Sequence, residues 1–333
     1  MKETIKLIIR NLTESIPIPI SAGCAGLKLF TPYYHIVCNK IPWYVGDRYK
    51  IKTPEQFIAD LEIILKYFEP IDLITLIHKV KNNQPFTRRA FFLSFDDGYR
   101  ELADIIAPIL LKKGVPATFF LCTSLIDNQS IYFENELTII RAKFEQADNE
   151  QIEKINKLIG SQNINHLGYN DKEVVSQIAD ILELNIQNFL EIEKPYITSV
   201  QINDLIQKGF TIGSHSIDHP LFKHISFNEK IRQTAQSIDW LTRTFNIDYK
   251  VFAFPYGDFG VTKPFFDYVF QSGMVDLCFG TSGLISEAYP QSIQRFWMEN
   301  HAKPTIRHIK SAIAEKIIRQ WVSNDKISRV NEI

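Results

Sequence analysis

Along most of the chain, short apolar runs alternate with amphipathic stretches. Residues 30–38, which include Tyr33-Tyr34-His35-Ile36-Val37, read as a strand. Thr53 as N-cap and Pro54 in the first turn predict a helix start, and Phe57, Leu61, Ile64 and Leu65 then recur at helical spacing. A second strand is expected over 90–95. Behind it Leu102, Ile105, Ile106, Ile109 and Leu110 mark a helix that Gly114 ends, and a third strand follows over 117–122. Strands resume at 210–214 and 251–254, with weaker runs at 277–279 and 293–298.

Between 127 and 199 the rhythm changes. The segment is polar and charge-rich, and Leu158, Ile159, Val174, Val175, Ile178, Ile181 and Leu182 carry a helical period. The expected organisation is an N-terminal extension (1–29), a main scaffold in two pieces (30–126 and 200–320), a helical insertion or small lid (127–199) and a C-terminal tail (321–333). The strand–helix–strand alternation predicts an α/β fold with a largely parallel sheet. Asp96, Asp97, His215 and Tyr256 each fall just after the C-terminal end of a different expected strand. Barrel enzymes gather their chemistry there, which favours a closed (β/α) barrel, although an open doubly wound sheet would place a site similarly. No glycine-rich phosphate loop follows the first strands.

Bulk properties narrow the partners. Of 333 residues, 45% are hydrophobic and 23% charged, and the formal net charge is −1, so no basic excess speaks for nucleic acid. Four cysteines lie apart without a C-x-x-C pair. Cys122 and Cys278 sit in apolar runs and are expected to be buried thiols, nothing requires a Cys24–Cys38 disulfide, and this usage fits a reducing compartment. Arg10, Glu14, Pro17 and Pro19 interrupt the N-terminal apolar stretch, which therefore fails as a signal peptide, and no run approaches the length of a membrane span. The expectation is a soluble, cytoplasmic protein with no transmembrane segment; its oligomeric state is not legible.

The chemistry concentrates at Phe95-Asp96-Asp97-Gly98. Two adjacent carboxylates at the end of an apolar strand are costly unless positive charge sits beside them. His215-Ser216-Ile217-Asp218-His219 supplies two imidazoles four residues apart, and one carboxylate with two histidines is a common ligand set for a divalent metal. The other aspartate is then free for acid–base work. Neighbours in a strict strand would face opposite ways, so Gly98 is needed to let both border one cavity.

Together with Phe254-Pro255-Tyr256-Gly257, these segments resemble the first three motifs of the polysaccharide deacetylases, the NodB-homology or carbohydrate esterase 4 family. The resemblance runs in order from about Tyr34 to about Trp297. It implies a distorted (β/α) barrel that removes N-acetyl groups from an amino-sugar-containing polysaccharide or glycan intermediate. By position it makes Asp97, His215 and His219 the ligands of a divalent metal, zinc first, with Co2+, Ni2+ or Fe2+ on the same donors. Asp96 becomes the general base, Ser216 steadies the histidine loop, Pro255, Tyr256 and Trp297 wall the sugar groove, and the Tyr256 backbone N–H stabilises the developing oxyanion.

Two departures stand out. Ala253 occupies the place of the arginine that usually orients the base, and Arg295 is the expected substitute. The usual C-terminal Leu-His-Asp motif is missing, and His301 and His308, in polar helical surroundings, do not match it. A branch resembling poly-N-acetylglucosamine deacetylases instead carries a Tyr-His pair on the first strand. Tyr34-His35 matches that pair, which makes His35 the general acid. Other readings of the same residues are an O-acetyl esterase or deformylase acting on a lipid-linked or nucleotide-linked sugar, and a non-catalytic carbohydrate-binding relative.

Overall fold

The computed structural model describes residues 2–160, 162–299, 304–322 and 325–331. Its strands are β1 (Leu29–Phe30), β2 (Pro32–Tyr34), β3 (Glu69–Pro70), β4 (Ala90–Phe91), β5 (Ser94–Phe95), β6 (Thr118–Leu121), β7 (Thr211–Ser214), β8 (Val251–Ala253), β9 (Leu277–Gly280), β10 (Ser292–Gln294) and β11 (Phe296–Trp297). Eight of them form one parallel sheet in the order β10-β9-β8-β7-β6-β5-β2-β11. The two edge strands, β10 and β11, follow each other in the chain with only Arg295 between them. Arg295 N–H donates to Gly280 O (3.0 Å) on one side, and Phe296 N–H donates to Thr31 O (2.8 Å) on the other. One continuous segment thus joins both edges, and the sheet curls into a distorted (β/α) barrel, the form that the family resemblance implies.

Three expected strands are divided, and the run 293–298 separates at Arg295 into the two edge strands β10 and β11. Residues 90–95 split into β4, which pairs with β1 and β3 in a separate three-stranded sheet, and β5, which pairs in the barrel. Residues 30–38 split likewise into β1 and β2, and the ladder stops at Tyr34 because the N–H groups of His35 and Ile36 donate to the Glu299 carboxylate at 2.8 and 3.0 Å. An apolar run reports burial and cannot report a change of sheet.

Thr53 closes a capping box with Gln56 at the start of the helix Pro54–Tyr67, and Gly114, in a left-handed conformation, caps the helix Ala107–Lys113. Residues 127–199 contribute the helices Phe133–Phe144, Asn149–Ile159, Lys172–Ile181 and Ile186–Glu193. They enclose a small core of their own around Leu137, Ile140, Ile155, Val175 and Ile178. All four cysteines are free thiols, Cys24 exposed and the other three buried. Among the described residues no helix is long and apolar enough to cross a membrane.

The C-terminal tail is bound to the barrel. The Arg329 side chain is largely buried, its Nη2 donates to both Asp258 and Glu287, and its guanidinium lies 4.4 Å from the centre of the Phe266 ring. Gln294 joins the same two carboxylates. Replacing Arg329 by Met leaves two buried acids facing each other, and the expected cost is about 3–5 kcal/mol in urea unfolding. A loss well under about 1 kcal/mol would mean that the tail does not hold this position in solution.

Candidate active site

At the C-terminal rim of the barrel the backbone turns sharply where the polar residues emerge. Asp97 (φ 76°), Ser216 (φ 75°), His219 (φ 63°) and Tyr256 (φ 58°) all take left-handed conformations that non-glycine residues rarely adopt. The bend between the two aspartates therefore begins at Asp97 itself and continues through Gly98 (φ 87°), one residue earlier than the glycine alone implies.

Three donor atoms converge there. Asp97 Oδ1 lies 3.4 Å from His215 Nε2 and 3.3 Å from His219 Nε2, and the two nitrogens are 3.2 Å apart. His215 Nδ1 is 2.9 Å from the Ala253 carbonyl, which can only accept. The ring proton is thus on Nδ1, and the Nε2 lone pair points into the cluster. Ser216 Oγ accepts the His219 N–H at 2.9 Å. Asp97 Oδ1 is buried and receives no hydrogen bond. An oxygen and two imidazole nitrogens this close, one of them an orphaned carboxylate oxygen, fit a divalent ion bound at about 2.0–2.2 Å from each. Burial would raise the Asp97 pKa, but when no ion is bound, protonated His215 and His219 beside it hold the carboxyl well below the usual carboxylate range.

Asp96 faces a different partner. Arg295 Nη1 and Nη2 donate to its two oxygens at 2.6 and 2.7 Å, a bidentate pair with both side chains buried. The guanidinium also reaches Ser94 Oγ at 3.0 Å and lies 4.6 Å from the Tyr33 ring centre and 5.2 Å from that of Phe120. Burial works against the Asp96 charge; Arg295 overrides it, His215 and His35 add to that, and the pKa lies below its ordinary value. The structure thus puts Arg295 on Asp96, while position 253 contributes only its backbone carbonyl to His215.

His35 shares the same cavity. Its Nδ1 is 2.6 Å from Glu299 Oε2, which also accepts the Trp297 indole N–H at 2.8 Å. Burial alone would lower the imidazole pKa; Glu299 outweighs it, Asp97 and Asp96 add to it, and the value rises from 6.5 to about 9. His35, Asp96, His215, His219, Tyr256 and Trp297 line one cavity of about 240 Å³. Pro255 does not: it is buried, and Phe254 before it and Tyr256 after it reach the cavity instead, because the left-handed turn at Tyr256 carries the chain outward. His308 Nε2 donates to the Trp297 carbonyl at 2.8 Å, and His301 lies outside the described residues.

Sequence reasoning missed three contributors. Glu299 follows the last strand with only Met298 between it and Trp297, and nothing in its surroundings singles it out. Tyr49 donates its hydroxyl to Asp97 Oδ2 and stacks on His35 with ring centres 4.5 Å apart. Tyr132, at the start of the insertion, sets its ring edge-on to His219 at 4.6 Å. The insertion also grips the histidine loop: Tyr169 and Lys172 bond Asp218, between the two histidines, at 2.8 and 2.5 Å.

A sequence model of the family described as "Polysaccharide deacetylase" matches residues 83–270. No curated protein sequence matches the chain. Among solved structures, the deacetylase PplD of Streptococcus pyogenes, in complex with acetate, is similar at 16% identity over 86% of this chain and 98% of that one, with a TM-score of 0.57. IcaB from Ammonifex degensii is 14% identical over 86% of this chain and 97% of its own, with a TM-score of 0.56. A de-N-acetylase from Aggregatibacter actinomycetemcomitans is 16% identical over 84% and 98%, with a TM-score of 0.54. At these identities the three structures show a shared barrel, and the family match, which spans more than half of the sequence and includes Asp96, Asp97, His215, His219 and Tyr256, shows more than a shared fold. The chain belongs to the polysaccharide deacetylase family, hydrolases of carbon–nitrogen bonds outside peptides.

Proposed function

We propose that this chain is a metal-dependent deacetylase that removes N-acetyl groups from the amino sugars of a glycan. The observation that carries this reading is one cavity that joins the Asp97–His215–His219 cluster to an arginine-held carboxylate, Asp96, and a carboxylate-held imidazole, His35. A divalent ion on the cluster, zinc in the first place, supplies positive charge that polarises the acetyl carbonyl and acidifies water. Asp96, ionised and aimed by Arg295, takes a proton from the attacking water. As the carbonyl carbon becomes tetrahedral, the Tyr256 backbone N–H donates to its oxygen. The C–N bond then breaks, His35 gives its proton to the departing nitrogen, and acetate and a free amine result. Tyr256 and Trp297 supply the aromatic walls that hold the sugar.

The direct test is acetate release by purified, metal-loaded protein from a panel of N-acetylated amino-sugar oligomers and O-acetylated glycans. Release from the N-acetylated members is expected. Release from O-acetylated members alone would make the chain an esterase, and none from either would overturn the reading.

The same assignment sets an alkaline limit. His35 must be protonated to act, so kcat should fall as pH rises through about 9. Glu299→Gln removes the charge that raises this pKa, so the falling limb should move to lower pH. The stability link has the same sign: the contribution of charged His35 is complete below about pH 6.5 and is lost as pH rises through about 9. A limb that stays in place in the variant would show that another group protonates the leaving nitrogen.

A further inference from the structure

The insertion builds a second cavity, about 610 Å³, that meets the reaction cavity at Tyr256. Its walls include Val45 and Gly46 on one side, Phe133, Leu137 and Arg141 along one face of the helix Phe133–Phe144, and the turn at Leu167 and Gly168. Arg141 is unusual within it. Its Nη2 donates to the Asn165 carbonyl at 3.1 Å, its Nε is buried with no hydrogen-bond partner, and among the described residues no carboxylate forms an ion pair with it. A guanidinium in a cavity wall with no ion-pair partner can receive an anion, and its planar fork suits carboxylate and phosphate oxygens.

Helix geometry fixes where that anion would sit. The Tyr132 hydroxyl, at the N-cap of this helix, lies 3.4 Å from the Tyr256 hydroxyl, so the start of the helix abuts the reaction cavity. Arg141 is nine residues further on, roughly 13 Å along the axis. The Arg141 side chain leans back toward the N-terminus and shortens this by several ångströms, which still leaves about the length of one sugar ring, so the contact falls on a neighbouring unit and not on the acetylated sugar. Glu134 lines the same cavity two helical turns before Arg141, about 10 Å of axial rise, and forms no ion pair with it.

We propose that this cavity is a subsite for the units of a glycan chain next to the acetylated sugar, and that Arg141 recognises a negatively charged group, carboxylate or phosphate, on one of them. The proposal rests on the deacetylase reading and gives its substrate a sign of charge and a minimum length. Tyr256, half-exposed and lining both cavities, offers apolar contact to the intervening ring.

The test compares oligosaccharides of equal length that carry one N-acetylated amino sugar and, on the first or the second neighbouring unit, either no charge, a uronate or a phosphate. Metal-loaded full-length protein should favour a charged form by about tenfold or more in kcat/KM, mostly through KM, as expected for charge-assisted hydrogen bonds. Preference for the uronate or for the phosphate identifies the source of the anion. Arg141→Gln should bring the charged-to-neutral ratio close to one, and Arg141→Lys should restore part of it, provided both variants unfold at the wild-type temperature. A wild-type ratio near one for both anions, or a ratio unmoved by Arg141→Gln, overturns the proposal. Calorimetric binding of the same three oligosaccharides separates the two layers of argument. Charge-selective binding that needs Arg141, without any acetate release, would sink the deacetylase reading and leave the subsite. Acetate release with charge-blind binding would sink the subsite alone.

Discussion

Replacing Asp96 by Asn should reduce kcat by about 10²–10⁴-fold, the contribution expected of one positioned general base, with the metal content of the protein unchanged. The reason is the division of labour between two adjacent residues. Asp97 Oδ1 faces His215 and His219, whereas both oxygens of Asp96 are taken by Arg295. Asparagine has the same shape as aspartate and can still accept from Arg295 through its carbonyl oxygen, so the side chain should stay in place while its basicity is lost. KM should change little, because Asp96 acts on the attacking water and not on the sugar. The measurements are kcat and KM on an N-acetylated oligomer, alongside metal stoichiometry of the purified variant. Metal lost in proportion to activity would move Asp96 into the ligand set and contradict the role given to it here.

How this division reads from sequence is instructive. The barrel and its C-terminal rim are legible because apolar runs of strand length end in Asp96-Asp97-Gly98, His215 and Tyr256, and such patterning is local. Arg295 is legible only as the replacement for a residue missing at position 253; its own surroundings in the chain do not mark it. Glu299 and Tyr49 leave no local trace. They act on His35 and Asp97 through contacts that span 264 and 48 residues, and neither a period nor a motif encodes such distances. The split of residues 90–95 between two sheets is hidden for the same reason, since both halves are buried and Ser94 alone interrupts the apolar run. The walls of the groove show the limit of carrying a motif across by position. Tyr256 reaches the cavity and Pro255 does not, because one left-handed turn decides which of two neighbours faces outward.

That dependence on distant partners gives Arg295 the second large effect. Arg295→Met should cost about 3–5 kcal/mol in stability and reduce turnover nearly as far as the loss of Asp96 itself. The methionine keeps apolar contact with Tyr33 and Phe120 but leaves a buried carboxylate without its partner. The pH dependence separates this from simple loss of packing. In the wild type Asp96 is held below its ordinary pKa, so its ion pair stabilises the fold above the unfolded carboxylate value and is lost only as pH falls through the lower folded one. Without Arg295, burial pushes the same group the other way, and protonating it relieves the strain. The stability gap between wild type and variant should therefore be widest near neutral pH and shrink on acidification, and the acid limb of kcat in the variant should move to higher pH. Arg295→Lys retains the charge without the two parallel hydrogen bonds, so it should recover more of the stability than of the rate. Arg295 also joins the two edges of the barrel, its own N–H bonded to Gly280 and the next to Thr31, but these are backbone contacts that any residue at position 295 can make. A stability gap that stays constant from neutral pH to pH 4 would thus assign Arg295 to packing alone, and would leave the orientation of Asp96 to the histidines beside it.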